Sequence, residues 1–247
     1  CGKFCCPIKI ADRRKRERLI HFKTPEIPPW MRTLEHSGYR NIFSFELGNY
    51  NLFGTETLCG DWDGDLLIVA QDFAPASFIP ARIDAKDPFP YRHEPSFPTN
   101  KFLVDLLKRS DRPVAISGEG HLECGALYVS ASFLLRDDGK VSGALPDWKH
   151  ASRHASKVLS FVIERMPKLE KIACLGEPAF NALAEMARFH GTWRQTITAG
   201  NPFNFDGKNV YAHSHTGSLG RRNRLPPGSS YADCINTIQA DWRQMLR

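Results

Sequence analysis

The chain has 247 residues, 42% of them hydrophobic, enough to bury a sizeable core in one large or two small domains. A balance of 33 Lys and Arg against 27 Asp and Glu leaves a formal charge of +6, which favours an anionic partner such as nucleic acid over a cationic one. No apolar run approaches the roughly 20 residues that cross a bilayer, the first residues lack a signal peptide's apolar stretch, and seven cysteines scattered through apolar contexts do not make a disulfide framework.

The expectation is a soluble, intracellular, cytoplasmic monomer with reduced thiols and no membrane contact. Cys1, Cys5 and Cys6 stand close together, but an iron–sulfur cluster needs further cysteines at defined spacing, so no metal or other cofactor is expected.

In chain order, Arg13-Arg14-Lys15-Arg16-Glu17-Arg18 before Leu19-Ile20 predicts a basic surface helix over 9–22, broken by Pro25, Pro28 and Pro29. Trp30 to His36 predicts a helical turn and Asn41 to Gly60 irregular packing. Residues 1–58 are thus expected to be a helical and irregular segment packed on a core of 59–247. The apolar run Leu66 to Ala70, closed by Gln71-Asp72, predicts a strand buried on both faces whose carboxyl end delivers a carboxylate.

Prolines from Pro75 to Pro98, interleaved with Phe78, Phe89, Tyr91 and Phe97, argue against a helix or central strand there and for a long loop. Its aromatics are placed either to stack on a base or to pin the loop. Asn100 to Arg109 predicts an amphipathic helix capped by Thr99 or Asn100. Cys124 to Leu135 predicts a second buried strand, and Trp148 to Met166 a helix ended by Pro167. Lys171 to Leu175 predicts a third strand, stopped by Gly176 and followed by a helix over Pro178 to Phe189. Asn209 to Ala212 predicts a fourth, delivering His213-Ser214-His215 into a Gly/Arg loop before a final helix from about Ser229 to Leu246. Strands alternating with helices predict one α/β domain, a three-layer α/β/α sandwich around a central four-stranded parallel sheet.

In such sheets ligands bind beyond the carboxyl ends of the strands, where Asp72, Ser130 and Ser132, Gly176-Glu177 and His213 all arrive. An Asp and a His at two such ends can face one another across one crevice. That pair, with His215, also suits an unrelated α/β hydrolase or metal enzyme.

Leu67-Ile68-Val69-Ala70-Gln71-Asp72-Phe73-Ala74-Pro75 resembles the first motif of the uracil-DNA glycosylase superfamily, an apolar strand ending in Gly-Gln-Asp-Pro-Tyr-His. Val210-Tyr211-Ala212-His213-Ser214-His215-Thr216-Gly217-Ser218-Leu219 resembles its second, a short strand ending in His-Pro-Ser-Pro before a DNA-penetrating loop. Gly125 to Leu135 is similar to the central strand, and Leu175-Gly176-Glu177-Pro178-Ala179 to a Leu-Gly-x-x-Ala segment. The likeness runs over roughly residues 60–245.

The resemblance implies a uracil-DNA glycosylase-like fold and a hydrolase of base excision repair that removes uracil, and other deaminated bases, from single- or double-stranded DNA, with free uracil as product. It assigns Asp72 to stabilise the oxocarbenium-like sugar and orient water, and His213, with the amides of Gln71 and Asp72, to the departing base's O2. Reaching that bond requires base flipping. Leu219 becomes the wedge, and Ser214, His215, Ser218, Arg221, Arg222 and Arg224 the DNA contacts. Two departures stand out. Phe73-Ala74 replaces the Pro-Tyr that excludes thymine's methyl, and Ser130 replaces the base-reading asparagine, leaving base contacts to Phe73, Phe97, Asn100, Ser130 and Ser132. The alternative within the same fold is a damaged-DNA or uracil-DNA binding protein with little turnover.

Overall fold

The structure is a computed structural model and describes residues 26–45, 61–71, 75–86, 97–110, 112, 115–116, 122–123, 125–140 and 146–247. The basic helix expected over 9–22 lies outside them, as do Asp72, Phe73 and Ala74. Described elements in chain order are α1 (Pro29–Arg32), β1 (Tyr39–Asn41), β2 (Leu66–Ala70), α2 (Ile79–Asp84), α3 (Pro98–Arg109), β3 (Ala115–Ile116), β4 (Leu122–Glu123), β5 (Ala126–Ser130) and β6 (Leu134–Arg136). There follow α4 (Trp148–Ile163), β7 (Lys171–Leu175), α5 (Glu177–Met186), α6 (Trp193–Ala199), β8 (Phe203–Phe205), β9 (Lys208–His213), α7 (Ser218–Arg222) and α8 (Tyr231–Leu246).

β2 lies inside the main sheet because its five residues are apolar without alternation, the pattern of a strand covered on both faces. It pairs in parallel with β5 and β7, and β7 pairs in parallel with β9. Leu67 and Val69 face a cluster with Val158, Leu159 and Val162 of α4 and Phe180 and Leu183 of α5. Leu66, Ile68 and Ala70 face the other way, onto Leu103 and Leu107 of α3 and Ile238 and Trp242 of α8. The fully buried Leu, Ile and Val side chains contribute ~1.5–3 kcal/mol each relative to exposure. Helices on both faces of a mostly parallel sheet define an α/β protein.

The sheet is five-stranded and mixed, in the order β5-β2-β7-β9-β8, rather than four-stranded and wholly parallel. The added edge strand, β8, runs antiparallel to β9 through a two-residue turn. Asp206 (φ 52°) and Gly207 (φ 78°) both take positive φ, as the tight hairpin turn requires, and Asn204 Oδ1 accepts the Gly207 amide at 3.2 Å.

Other elements differ from expectation for local reasons. The strand expected over Cys124 to Leu135 is two: β5 ends at Ser130, Ala131 to Phe133 turn the chain, and β6 pairs with β1 instead. The Ser132 hydroxyl accepts the Leu134 amide at 3.0 Å, which fixes that turn. Within the proline-rich stretch Ile79–Asp84 is helical, because Pro80 sits in the first turn, where its missing N–H costs nothing. α3 begins at Pro98 with Phe97 as N-cap and no side-chain cap, so Thr99 and Asn100 lie inside the first turn. From the amino-terminal part, Met31, Leu34 and Ile42 are buried in the α4/α5 cluster. Among the described residues no helix is long and apolar enough to cross a membrane.

Candidate active site

The register aligns Ala70 with Ser130 and Leu175 with His213, so the carboxyl ends of β5, β2, β7 and β9 form one edge. β9 stops at His213, and the chain leaves the sheet through Ser214-His215-Thr216-Gly217 into α7.

His213 and His215 occupy different environments. The His213 side chain is 2% exposed and lies over Trp242, with ring centroids 4.8 Å apart. Its Nε2 is 3.2 Å from Met245 Sδ, and its Nδ1 is buried without a partner. Burial first, and the Arg224 guanidinium second, push its pKa down to about 3, so it is held neutral inside the α8 layer. The imidazole that the resemblance assigns to the base is thus packed against α8.

That burial has a measurable cost in acid. Unfolded, the imidazole titrates near its ordinary 6.5, so the stability conferred by a neutral His213 is complete above 6.5 and is lost as pH falls toward 3. At pH 5 the loss is about 2 kcal/mol. Urea titrations of wild type and His213→Leu at pH 7.5 and pH 5 are expected to show the wild type losing about that much more than the variant.

His215 is half-buried in the loop. Three glycines crowd it. A Cβ on Gly217 would fall 2.9 Å from its Nδ1, and one on Gly220 would fall 2.4 Å from its carbonyl oxygen. Gly176, at φ +92°, places its missing Cβ 3.5 Å from His215 Cβ. The Gly217 amide donates to His215 Nδ1 at 3.0 Å. An acceptor nitrogen carries no proton, so the neutral ring bears its proton on Nε2. Burial lowers the His215 pKa, which keeps that tautomer at neutral pH. The site thus contains an uncharged N–H donor fixed by backbone.

Other polar groups lie in the same loop or along the same edge of the sheet. Thr99 Oγ1 of the first α3 turn would lie 3.6 Å from a Gly217 Cβ, so that helix start, with its partial positive charge, adjoins the loop. Ser130, Ser214 and Thr216 are buried with hydroxyls that lack any partner, a condition that costs ~1–3 kcal/mol per group unless a ligand relieves it. Thr216 did not figure among the sequence candidates.

The remaining candidates divide clearly. Gln71 is half-buried at the end of β2, where its carbonyl accepts the Ser132 amide at 3.1 Å. Asn100 is buried in α3 and Phe97 half-buried at its start. The Ser132 hydroxyl is committed to its turn. Ser218 and Leu219 open α7, and Leu219 is 74% exposed. Arg221 and Arg222 follow on the same helix. Arg224 is not available to DNA: it is buried and forms a bidentate pair with Asp241 of α8, at 2.5 and 2.9 Å. Asp72 and Phe73 lie outside the described residues, immediately after the Gln71 end of β2.

A shared metal centre on the two histidines finds no support in their side chains, which face Trp242 and Gly217 respectively. Among the described residues no three His, Cys, Asp or Glu side chains are arranged to hold a metal ion. Cys174 and Cys234 are buried free thiols; Cys1, Cys5, Cys6, Cys59 and Cys124 lie outside the described residues.

Fold and site together define an α/β protein with a histidine-bearing loop at the carboxyl ends of its parallel strands. No family model matches the chain, and no curated protein matches it.

Proposed function

We propose that the protein is a uracil-DNA glycosylase-like enzyme that hydrolyses the N-glycosidic bond of uracil, and of related deaminated bases, in DNA. The observation that carries the reading is the fixed neutral tautomer of His215. As the bond breaks, negative charge develops on the base, and a preorganised uncharged N–H donor stabilises it without protonating it first. His215 takes the role first assigned to His213. Asp72, two residues beyond β2, supplies the carboxylate that stabilises the electron-poor sugar and orients water. Ser130, Ser214 and Thr216 offer hydroxyls to the base or sugar, and Asn100 and Phe97 are carried as base contacts. Leu219, exposed on α7, is the wedge that fills the space left by the flipped nucleotide, with Arg221 and Arg222 on phosphate.

The test is release of free uracil from a single-stranded oligonucleotide with one central deoxyuridine. Wild-type protein is expected to release it without added metal, leaving an alkali-labile site. Tight binding without release would instead establish the binding protein of the same fold.

A further inference from the structure

The two arginines of α7 lie over two aromatic rings, Phe102 and Tyr231, that have no part in the proposed catalytic site. The Arg221 guanidinium lies 4.7 Å from the Phe102 ring centroid of α3 and 5.8 Å from that of Tyr231, the first residue of α8. The Arg222 guanidinium lies 5.7 Å from the same Tyr231 ring. Arg221 is thus shared between Phe102 and Tyr231, and the Tyr231 ring between two guanidiniums, with Phe102 half-buried and Arg222 exposed. Tyr231 is 45% exposed, one of the three large hydrophobic side chains so exposed among the described residues, and Leu219, on the same short helix as both arginines, is another.

Among the described residues neither guanidinium meets a carboxylate, and Arg221 Nε is buried without a partner. Asp233, in the first turn of α8, is held by the Ser230 hydroxyl at 2.7 Å and stays with its own helix cap. An exposed aromatic ring beside two unpaired guanidiniums, next to a protruding leucine, has the chemistry of a nucleotide site: a π-face for the base and cations for its phosphate.

We infer that Tyr231 is a stacking platform for an unpaired nucleobase of a single-stranded segment, with Arg221 and Arg222 holding the adjoining phosphates. This rests on the reading of α7 as the nucleic-acid-facing helix, but not on catalysis. The incoming base displaces the Arg222 guanidinium from the Tyr231 ring. Base stacking on an aromatic ring is stronger than an exposed cation–π contact, so the exchange is favourable, and Arg222 moves to phosphate. Arg221, within reach of both the Phe102 and Tyr231 rings, keeps the platform in place. Because any base presents a π-face, this site ranks strands by unpairedness rather than by sequence.

The test is fluorescence anisotropy with a uracil-free oligothymidylate at fixed salt. Tyr231→Ala is expected to weaken binding about tenfold, whereas Tyr231→Phe stays within about twofold of wild type. Arg222→Gln lowers the magnitude of the salt slope by about 0.7, while Tyr231→Ala leaves it unchanged, since it removes stacking and no phosphate contact. Tyr231→Trp gives an indole whose emission the oligonucleotide quenches. Wild-type affinity in Tyr231→Ala, equal losses in the Ala and Phe variants, or an unquenched indole would overturn the platform. If the wild type releases uracil but Tyr231→Ala binds normally, the platform alone fails. If binding depends on Tyr231 but no uracil is released, the catalytic reading alone fails.

Discussion

His215→Ala is expected to slow uracil release by about 10²–10³-fold in single-turnover assays, with affinity for the oligonucleotide within a few-fold of wild type. The size follows from what is removed: one preorganised N–H donor, acting on charge that exists only as the glycosidic bond breaks. The split follows from the same fact, because an interaction made only in the transition state changes the rate and not ground-state binding. His215→Gln keeps a side-chain N–H and should recover part of the loss. The pH profile separates this role from a structural one. The neutral ring is the active form, and burial lowers its pKa from 6.5. The wild-type rate should therefore hold as pH falls through 6.5 and decline only below it, where the ring protonates and its Nδ1 can no longer accept the Gly217 amide. An undiminished rate in His215→Ala would remove His215 from the chemistry.

Arg224→Met is expected to destabilise the protein by about 3–5 kcal/mol, read as a lowered midpoint in urea denaturation. The Arg224 side chain is 8% exposed and that of Asp241 16%, so the substitution strands a carboxylate in a largely dry site. The loss measures that stranded charge more than the attraction itself, because a buried pair repays little beyond its own desolvation. Arg224→Met combined with Asp241→Leu should therefore regain most of the stability. A single variant as stable as wild type would show that water reaches Asp241 freely. The pair also ties the chain just beyond α7 to α8, so it braces the segment that carries Leu219, Arg221 and Arg222.

Much of the layered fold was legible because its signals are local. The unbroken apolar run of β2 is the pattern of a doubly covered strand, and Gly176 stops β7 where expected, whereas α4 ends at Ile163, three residues short of the expected Met166. The edge hairpin has a local signal in Asp206-Gly207 between Phe203 to Phe205 and Lys208 to Val210, but the flanking apolar pattern is too short to mark strands on its own. The site was legible as an edge but not as an assignment. His-Pro-Ser-Pro shares one residue with His213 to Thr216 and equally one with His215 to Ser218, so the motif alone cannot choose between the histidines. Their surroundings differ in ways no local pattern shows: Trp242 and Met245 of α8 cover the first, and glycines surround the second. Nor does any local pattern reveal that Arg224 has a partner seventeen residues on rather than a phosphate. Its neighbours Arg221 and Arg222 read identically in the sequence.

The order of strands in the sheet has a consequence for how the chain is made. β2 leaves the ribosome before the other strands of the main sheet, yet both strands that flank it, β5 and β7, are encoded far downstream. The β8–β9 hairpin closes locally and fast, whereas β2 must wait for two long-range parallel pairings, the slow class of contact. Until β7 emerges, the nascent chain therefore carries an apolar strand with an open edge, the kind of segment that chaperones shield. The strand-end site forms only after β9, encoded later still, has added beyond β7, so a partly synthesised chain has no site to misuse.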